Sequence, residues 1–170
     1  IGRQILVKFK YPTQILLMLS LIDLVDNEEK EISIDDLKES KLHNVWLDVK
    51  DPTDQEVKAL AERLDISKNM IKPTELPTFS SIRVLENMAV FYFSSFFGEF
   101  DLKNLSSVAV IFSKTFMVTV RIEDIPAIEK TKNRLHRAET DSPSYVLYNL
   151  LDEIINSYFS YIEIVDEKST

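Results

Sequence analysis

Cysteine is absent from this 170-residue sequence, and glycine occurs only at Gly2 and Gly98. Without thiols there is no disulfide, thiolate nucleophile, iron–sulfur cluster or thiolate-bound structural zinc, and a reducing, cytosolic setting fits. Glycine at far below the ~7% usual in proteins excludes a P-loop and a dinucleotide-binding loop, because both need glycines where backbone approaches phosphate. Histidine is scarce as well. His43 reads as a loop residue and His136 as a surface residue on a charged helix, and neither has a carboxylate at a ligand spacing. Ser94, Ser95 and Ser113 lie in no Gly-x-Ser-x-Gly elbow, so nucleophilic catalysis has no support and an enzyme is not expected. No uncharged run approaches the roughly 20 residues of a bilayer span, and the first residues carry no basic region followed by a cleavage site. Positive charge is in deficit, with a net charge of −8. Such a surface repels nucleic-acid phosphates and anionic membranes, so nucleic acid is not an expected partner.

What is present belongs to a single globular domain: 45% apolar and 28% charged residues, in a length that buries roughly 70% of its unfolded surface. Residues 4–9 alternate apolar and polar, and residues 15–25 form a bounded apolar run; both predict strands. Ser33-Ile34-Asp35-Asp36 predicts a capped short helix to about Ser40. Residues 44–49 predict a strand with Val45, Leu47 and Val49 on one face and Trp46 on the other. Asp51-Pro52-Thr53-Asp54 then opens a helix, with Asp51 expected as cap and Val57, Leu60, Ala61 and Leu64 as its inner stripe. A brief helical turn follows Ser67 and ends at Pro73, and residues 73–77 read as a loop. Four β-branched and aromatic segments (82–85, 88–97, 105–112, 115–122) predict strands, the last two forming an antiparallel hairpin. A helix over 125–137 turns Ile128 and Leu135 inward. Interleaved strands and helices with at least one antiparallel pair predict an α/β fold, a mixed sheet flanked by helices as an αβα sandwich.

The last segment is a helix apolar on too much of its circumference for one contact. Ser142 or Asp141 caps it and Pro143 sits in its first turn. Tyr148, Leu151, Ile155, Tyr158, Ile162 and Val165 form an a/d seam, and Leu147, Leu150, Ile154, Tyr161 and Ile164 a second row. One row should meet the sheet and the other should remain open to helices outside this chain. No C-cap glycine or proline closes it, which reads as a cut inside a continuing helix. Residues 1–142 are the expected domain core and 143–170 the start of the long helix.

These residues resemble a known family. Tyr145-Val-Leu-Tyr148-Asn-Leu-Leu-Asp152, followed by Tyr158-Phe159 and Glu163, is similar to a helix in the cytoplasmic domain of the CorA magnesium/cobalt transporters. Trp46-Leu-Asp-Val-Lys-Asp-Pro-Thr53, with Glu56 and Ala61-Glu-Arg-Leu64, resembles the family's Trp-Ile-Asp-x-x-x-Pro-Thr stretch. Ile111-Phe-Ser-Lys-Thr-Phe116-Met-Val-Thr119-Val120 looks like its hairpin before an Arg-bearing helix, here with Arg134 and Arg137. The resemblance runs from about Val45 to the end. It implies the cytoplasmic domain of a pentameric transporter at the cell membrane, its terminal helix leading to a stem and two spans with a Gly-Met-Asn filter.

The resemblance also implies divalent-cation contact at Asp152, the acidic position matching the family's inter-subunit metal sites. The bland reading of Asp152 is a solvated acid on a polar face shared with Asn156, Glu163 and Glu167. Where relatives place an acidic pair, this chain has Ile71-Lys72-Pro73-Thr74-Glu75, so Glu75 is the remaining carboxylate there. The function expected is a regulatory, metal-sensing domain of a divalent-cation transporter, with Mg2+ as the bound ion and Co2+ as another candidate. The competing expectations are a domain of a zinc-transporting relative and a free-standing α/β scaffold that dimerises through its terminal helix.

Overall fold

A computed structural model of the chain describes residues 19–137 and 142–169. The expected strand over 4–9, the first part of that over 15–25, and Asp141 as a cap lie outside these residues. Seven strands make one sheet: β1 (Leu19–Asp23), β2 (Glu29–Ile32), β3 (Val45–Lys50), β4 (Ser81–Val84), β5 (Ala89–Phe96), β6 (Leu105–Phe112) and β7 (Phe116–Arg121). Their order is β2-β1-β3-β7-β6-β5-β4. Only β3 and β7 run parallel; every other neighbouring pair is antiparallel. Among the described residues the α-helices are α1 (Ile34–Glu39), α2 (Asp54–Leu64), α3 (Pro126–Leu135) and α4 (Pro143–Ser169).

Strand alternation sorts the core into two layers. Leu19, Leu21, Val45, Leu47, Val49, Val118 and Val120 face one side, where Leu37 of α1 and Val57, Leu60, Ala61 and Leu64 of α2 cover them. Ile22, Trp46, Val108, Val110 and Met117 face the other, under Ile128 and Leu135 of α3 and Val146, Leu150 and Ile154 of α4. The fold is therefore the expected mixed-sheet αβα sandwich with a long C-terminal helix. The opposed facings of Val45/Leu47/Val49 and Trp46, and the inner stripe of α2, follow the alternation read from sequence.

Three local details differ from the expectations. Thr53, not Asp51, caps α2: its Oγ1 accepts from the Glu56 amide at 3.3 Å while the Glu56 carboxylate accepts from the Thr53 amide at 2.7 Å. This reciprocal box needs Thr and Glu three residues apart, a spacing that Asp51 does not meet. Asp51 instead adopts φ 43° and its amide donates to the Arg121 carbonyl at 2.7 Å, closing the end of the parallel pair. Residues 73–77 contain a 3-10 turn, Pro73–Glu75, because proline at a first turn starts a helical turn as readily as it ends one. The β6–β7 connection takes in Thr115 as well as Ser113 and Lys114, with the Ser113 hydroxyl accepting from the amides of Thr115 and Phe116, both at 3.2 Å.

Along the strand register a single row crosses the α3/α4 side of the sheet: Ile82, Phe91, Val110, Thr119, Asp48, Ser20 and Glu31, from β4 to β2. It is apolar at the β4 end and charged at the β2 end. That gradient places the polar features described next.

Candidate functional site

Asp152 sits one turn before the middle of α4, on the flank turned to α3. The Ser142 hydroxyl accepts from the Tyr145 amide at 3.3 Å and begins α4. The buried Asn149 side chain returns to the Tyr145 carbonyl at 3.0 Å, so a polar group inside the contact is satisfied without a partner from α3. From α3, the Arg134 guanidinium reaches across: Nη1 lies 2.9 Å from Asp152 Oδ2 and 3.2 Å from Glu153 Oε1. The hydrogen bond to Asp152 holds the Arg134 guanidinium above its usual range. The Asp152 side chain is 37% exposed and that of Glu153 16%. The resemblance singles out Asp152 and the structure leaves it partly exposed, but no sequence signal points to its guanidinium partner.

Glu75 stands elsewhere. It ends the Pro73–Glu75 turn and pairs with Lys72 at 3.7 Å on the surface. The neighbouring Leu76 is buried in the α1/α2 layer, whereas α4 packs on the other side of the sheet, so one chain does not bring Glu75 and Asp152 together. Among the described residues no group of three or more His, Asp or Glu side chains is placed to hold a metal ion. Asp152 and Glu153 nevertheless offer hard oxygen donors, the first partly exposed and the second largely buried. That donor set fits Mg2+, which keeps several waters and takes one or two carboxylates from protein. Asp152 and Glu153 are thus suited to contribute part of a shared site.

A second charged site had no counterpart in the sequence reading. At the carboxyl ends of β3 and β7, a cavity of about 480 Å3 has Asp48, Arg121 and Lys132 as its floor. Arg121 Nε and Nη2 grip both oxygens of Asp48, at 3.1 and 2.7 Å. Lys132 Nζ lies 3.0 Å from Asp48, 2.9 Å from Glu29 and 3.7 Å from Glu129. A relay continues inward, with the Trp46 indole donating to the Thr119 hydroxyl at 3.0 Å and that hydroxyl to Asp48 at 2.8 Å. Burial works against the Asp48 carboxylate, but the bond from Arg121 and the two nearby cations outweigh it and hold Asp48 below the usual carboxylate range. Glu29 is held low in the same way, against its burial, by Ser20 and Lys132. Burial likewise opposes the charges on Arg121 and Lys132, and Asp48 together with the neighbouring carboxylates more than offsets it, raising both. Both cations are already engaged by carboxylates, so the floor offers an incoming anion little. Its chemistry is that of a fastening between sheet and α3. The signal was present in sequence as charge at inward parity: Asp48 shares a face with Trp46, and Arg121 with Met117 and Thr119.

The CorA-like Mg2+ transporter protein family matches residues 41–170, which takes in the α2 unit, the β6–β7 hairpin, α3 and α4. The chain belongs to this CorA-like family. Among solved structures, the soluble domain of CorA from Methanocaldococcus jannaschii is 18% identical with a TM-score of 0.66, covering 90% of this chain and 62% of that one. The complete CorA magnesium transporter from the same organism is 16% identical with a TM-score of 0.63, covering 89% of this chain and 48% of that one. The ZntB cytoplasmic domain from Vibrio parahaemolyticus is 11% identical with a TM-score of 0.67, covering 87% and 62%. At these identities the CorA and ZntB likenesses show a shared fold, and the chain spans less than two thirds of each structure. No curated protein matches the sequence significantly. No helix among the described residues of this CorA-like chain is long and apolar enough to cross a membrane.

Proposed function

We propose that this CorA-like chain is the cytoplasmic regulatory domain of a divalent-cation transporter, non-catalytic and joined to the cell membrane through segments outside the 170 residues. The supporting observation is the family match over residues 41–170, which includes the whole of α4 and its half-exposed Asp152. In this reading Asp152 contributes to a Mg2+ contact completed by a carboxylate of a neighbouring subunit in a pentamer, with Glu75 as a second candidate ligand. Co2+, which accepts the same oxygen donors, is a further candidate. Bound metal screens acidic subunit interfaces and biases the gate toward closure. How far it does so depends on its differential affinity for the two states.

The test has two parts. Mg2+ or Co2+ is titrated into the chain and into Asp152→Asn and Glu75→Gln; binding unchanged by Asp152→Asn removes Asp152 from the site. In the gene, two apolar stretches of about 20 residues downstream, the first ending in Gly-Met-Asn, are expected; a stop codon soon after Thr170 would overturn the transporter reading. The likeness to the ZntB cytoplasmic domain supports a second reading, a zinc-transporting relative. Tighter saturation by Zn2+ than by Mg2+ in the same titration would favour it.

A further inference from the structure

The α3–α4 contact carries a regulation of the proposed metal site. We propose that Arg134 is an internal competitor for the metal: it occupies Asp152 and Glu153 in the metal-free domain, sets their affinity for Mg2+, and is released from α4 when the ion binds. This inference rests on the reading of Asp152 as a metal contact.

Three observations support it. Arg134 Nη1 lies between the two carboxylates, 2.9 Å from Asp152 Oδ2 and 3.2 Å from Glu153 Oε1, where a shared cation would sit. Glu153 is only 16% exposed, and Arg134 is the cation paired with it, so losing Arg134 leaves a largely buried carboxylate that calls for another positive charge. Arg134 itself is 41% exposed, on a long side chain that can swing into water without unpacking α3, whose buried anchors are Ile128, Thr131 and Leu135. A hydrated divalent ion and a guanidinium repel each other, and both cannot hold the same carboxylate oxygens. Binding of one therefore weakens the other by the same factor. Exposed ion pairs are weak, so removing the competitor should tighten Mg2+ binding by about two- to fivefold, and less at high salt.

The experiment is a Mg2+ titration of the 170-residue chain followed by nuclear magnetic resonance, reading the Asp152 amide and the Arg134 Nε–Hε group together. Arg134→Gln, Arg134→Lys and Asp152→Asn are titrated in parallel, each checked for an unchanged fold by its amide spectrum. The wild-type Arg134 side-chain signal should shift with the same midpoint as the Asp152 amide. Arg134→Gln should bind about two- to fivefold more tightly, and Arg134→Lys should return toward wild type. If Asp152→Asn abolishes binding while Arg134→Gln leaves it unchanged or weaker, the competition is wrong and the metal contact stands. If Asp152→Asn binds like wild type, or no variant binds at any attainable Mg2+ concentration, the metal contact itself fails for this chain and the competition fails with it.

Discussion

Asp48 is the residue on which most of the polar interior converges. It is 2% exposed yet charged, and it is held by Arg121 and the Thr119 hydroxyl from β7 and by Lys132 from α3. Removing one member of such a set strands the others without water, typically at about 3–5 kcal/mol. Arg121→Met should therefore destabilise the domain by about that much. Urea unfolding followed by fluorescence of the one tryptophan, the fully buried Trp46, measures it. A loss below about 1 kcal/mol would mean that other partners replace the guanidinium. Thr119→Val removes the acceptor of the Trp46 indole and should cost about 1–3 kcal/mol. The pH dependence has a definite sign. Asp48 and Glu29 are held below their unfolded values, so their contribution is complete above about pH 4 and is lost as pH falls through the folded values. Lys132 is raised, so its contribution is complete below about pH 10.4 and is lost as pH climbs through the folded value. Urea midpoints should stay flat between those limits and fall outside them. Asp48→Asn should be less stable at neutral pH and lose less on acidification.

The elements divide by how their amphipathic pattern was used. The stripe of α2 and the alternation of β3 and β7 were legible because each has one apolar face and one neighbour to bury it. The cap of α2 is ambiguous in sequence because Asp51-Pro52 and Thr53-x-x-Glu56 both carry start signals, and only the reciprocal bonds of Thr53 and Glu56 decide between them. The buried network is not legible in sequence because its members come from β2, β3, β7 and α3, over a hundred positions apart at the extreme, and no local period connects them. The metal contact at Asp152 is an expectation that rests on the resemblance, while the ion pair with Arg134 depends on how α3 crosses α4. In α4 itself the two rows separate only in part, because Tyr158 of the a/d seam packs on the sheet side with the second row. Leu150 and Ile154 of the second row are buried, whereas Tyr148, Ile155 and Ile162 of the seam are 65%, 52% and 51% exposed, with Phe159, which belongs to neither row, 60% exposed beside them. Two adjacent residues then make a sharp comparison. Ile154→Ala should cost about 2–5 kcal/mol in urea unfolding and Ile155→Ala less than about 0.5. Equal losses would show that α4 is rotated from this placement. The outer half of α4 is braced by an aromatic group, with the Phe96 ring 5.4 Å from Tyr158 and 5.1 Å from Tyr161. The Tyr158 hydroxyl also donates to the Ser94 carbonyl.

At the scale of the whole molecule, charge and apolar surface are segregated. The row from Ile82 to Glu31 runs from apolar at β4 to charged at β2, and α3 fastens the charged end through Lys132 while holding α4 through Arg134. α3 thus contacts both the charged end of the sheet, through Lys132, and α4, through Arg134. The open row of α4 gives the molecule a long apolar strip that its own sheet does not cover, and such strips promote association. The chain should show concentration-dependent self-association in light scattering. Ile155→Lys combined with Phe159→Lys should abolish it without lowering the urea midpoint, because both side chains are already in water. If association persists in that double variant, the contact lies elsewhere, and the exposed Ile82 and Val84 of the β4 edge become the surface to substitute next. If the variant stays monomeric but unfolds early, the strip is packed in solution, and the placement of α4 relative to the sheet must change.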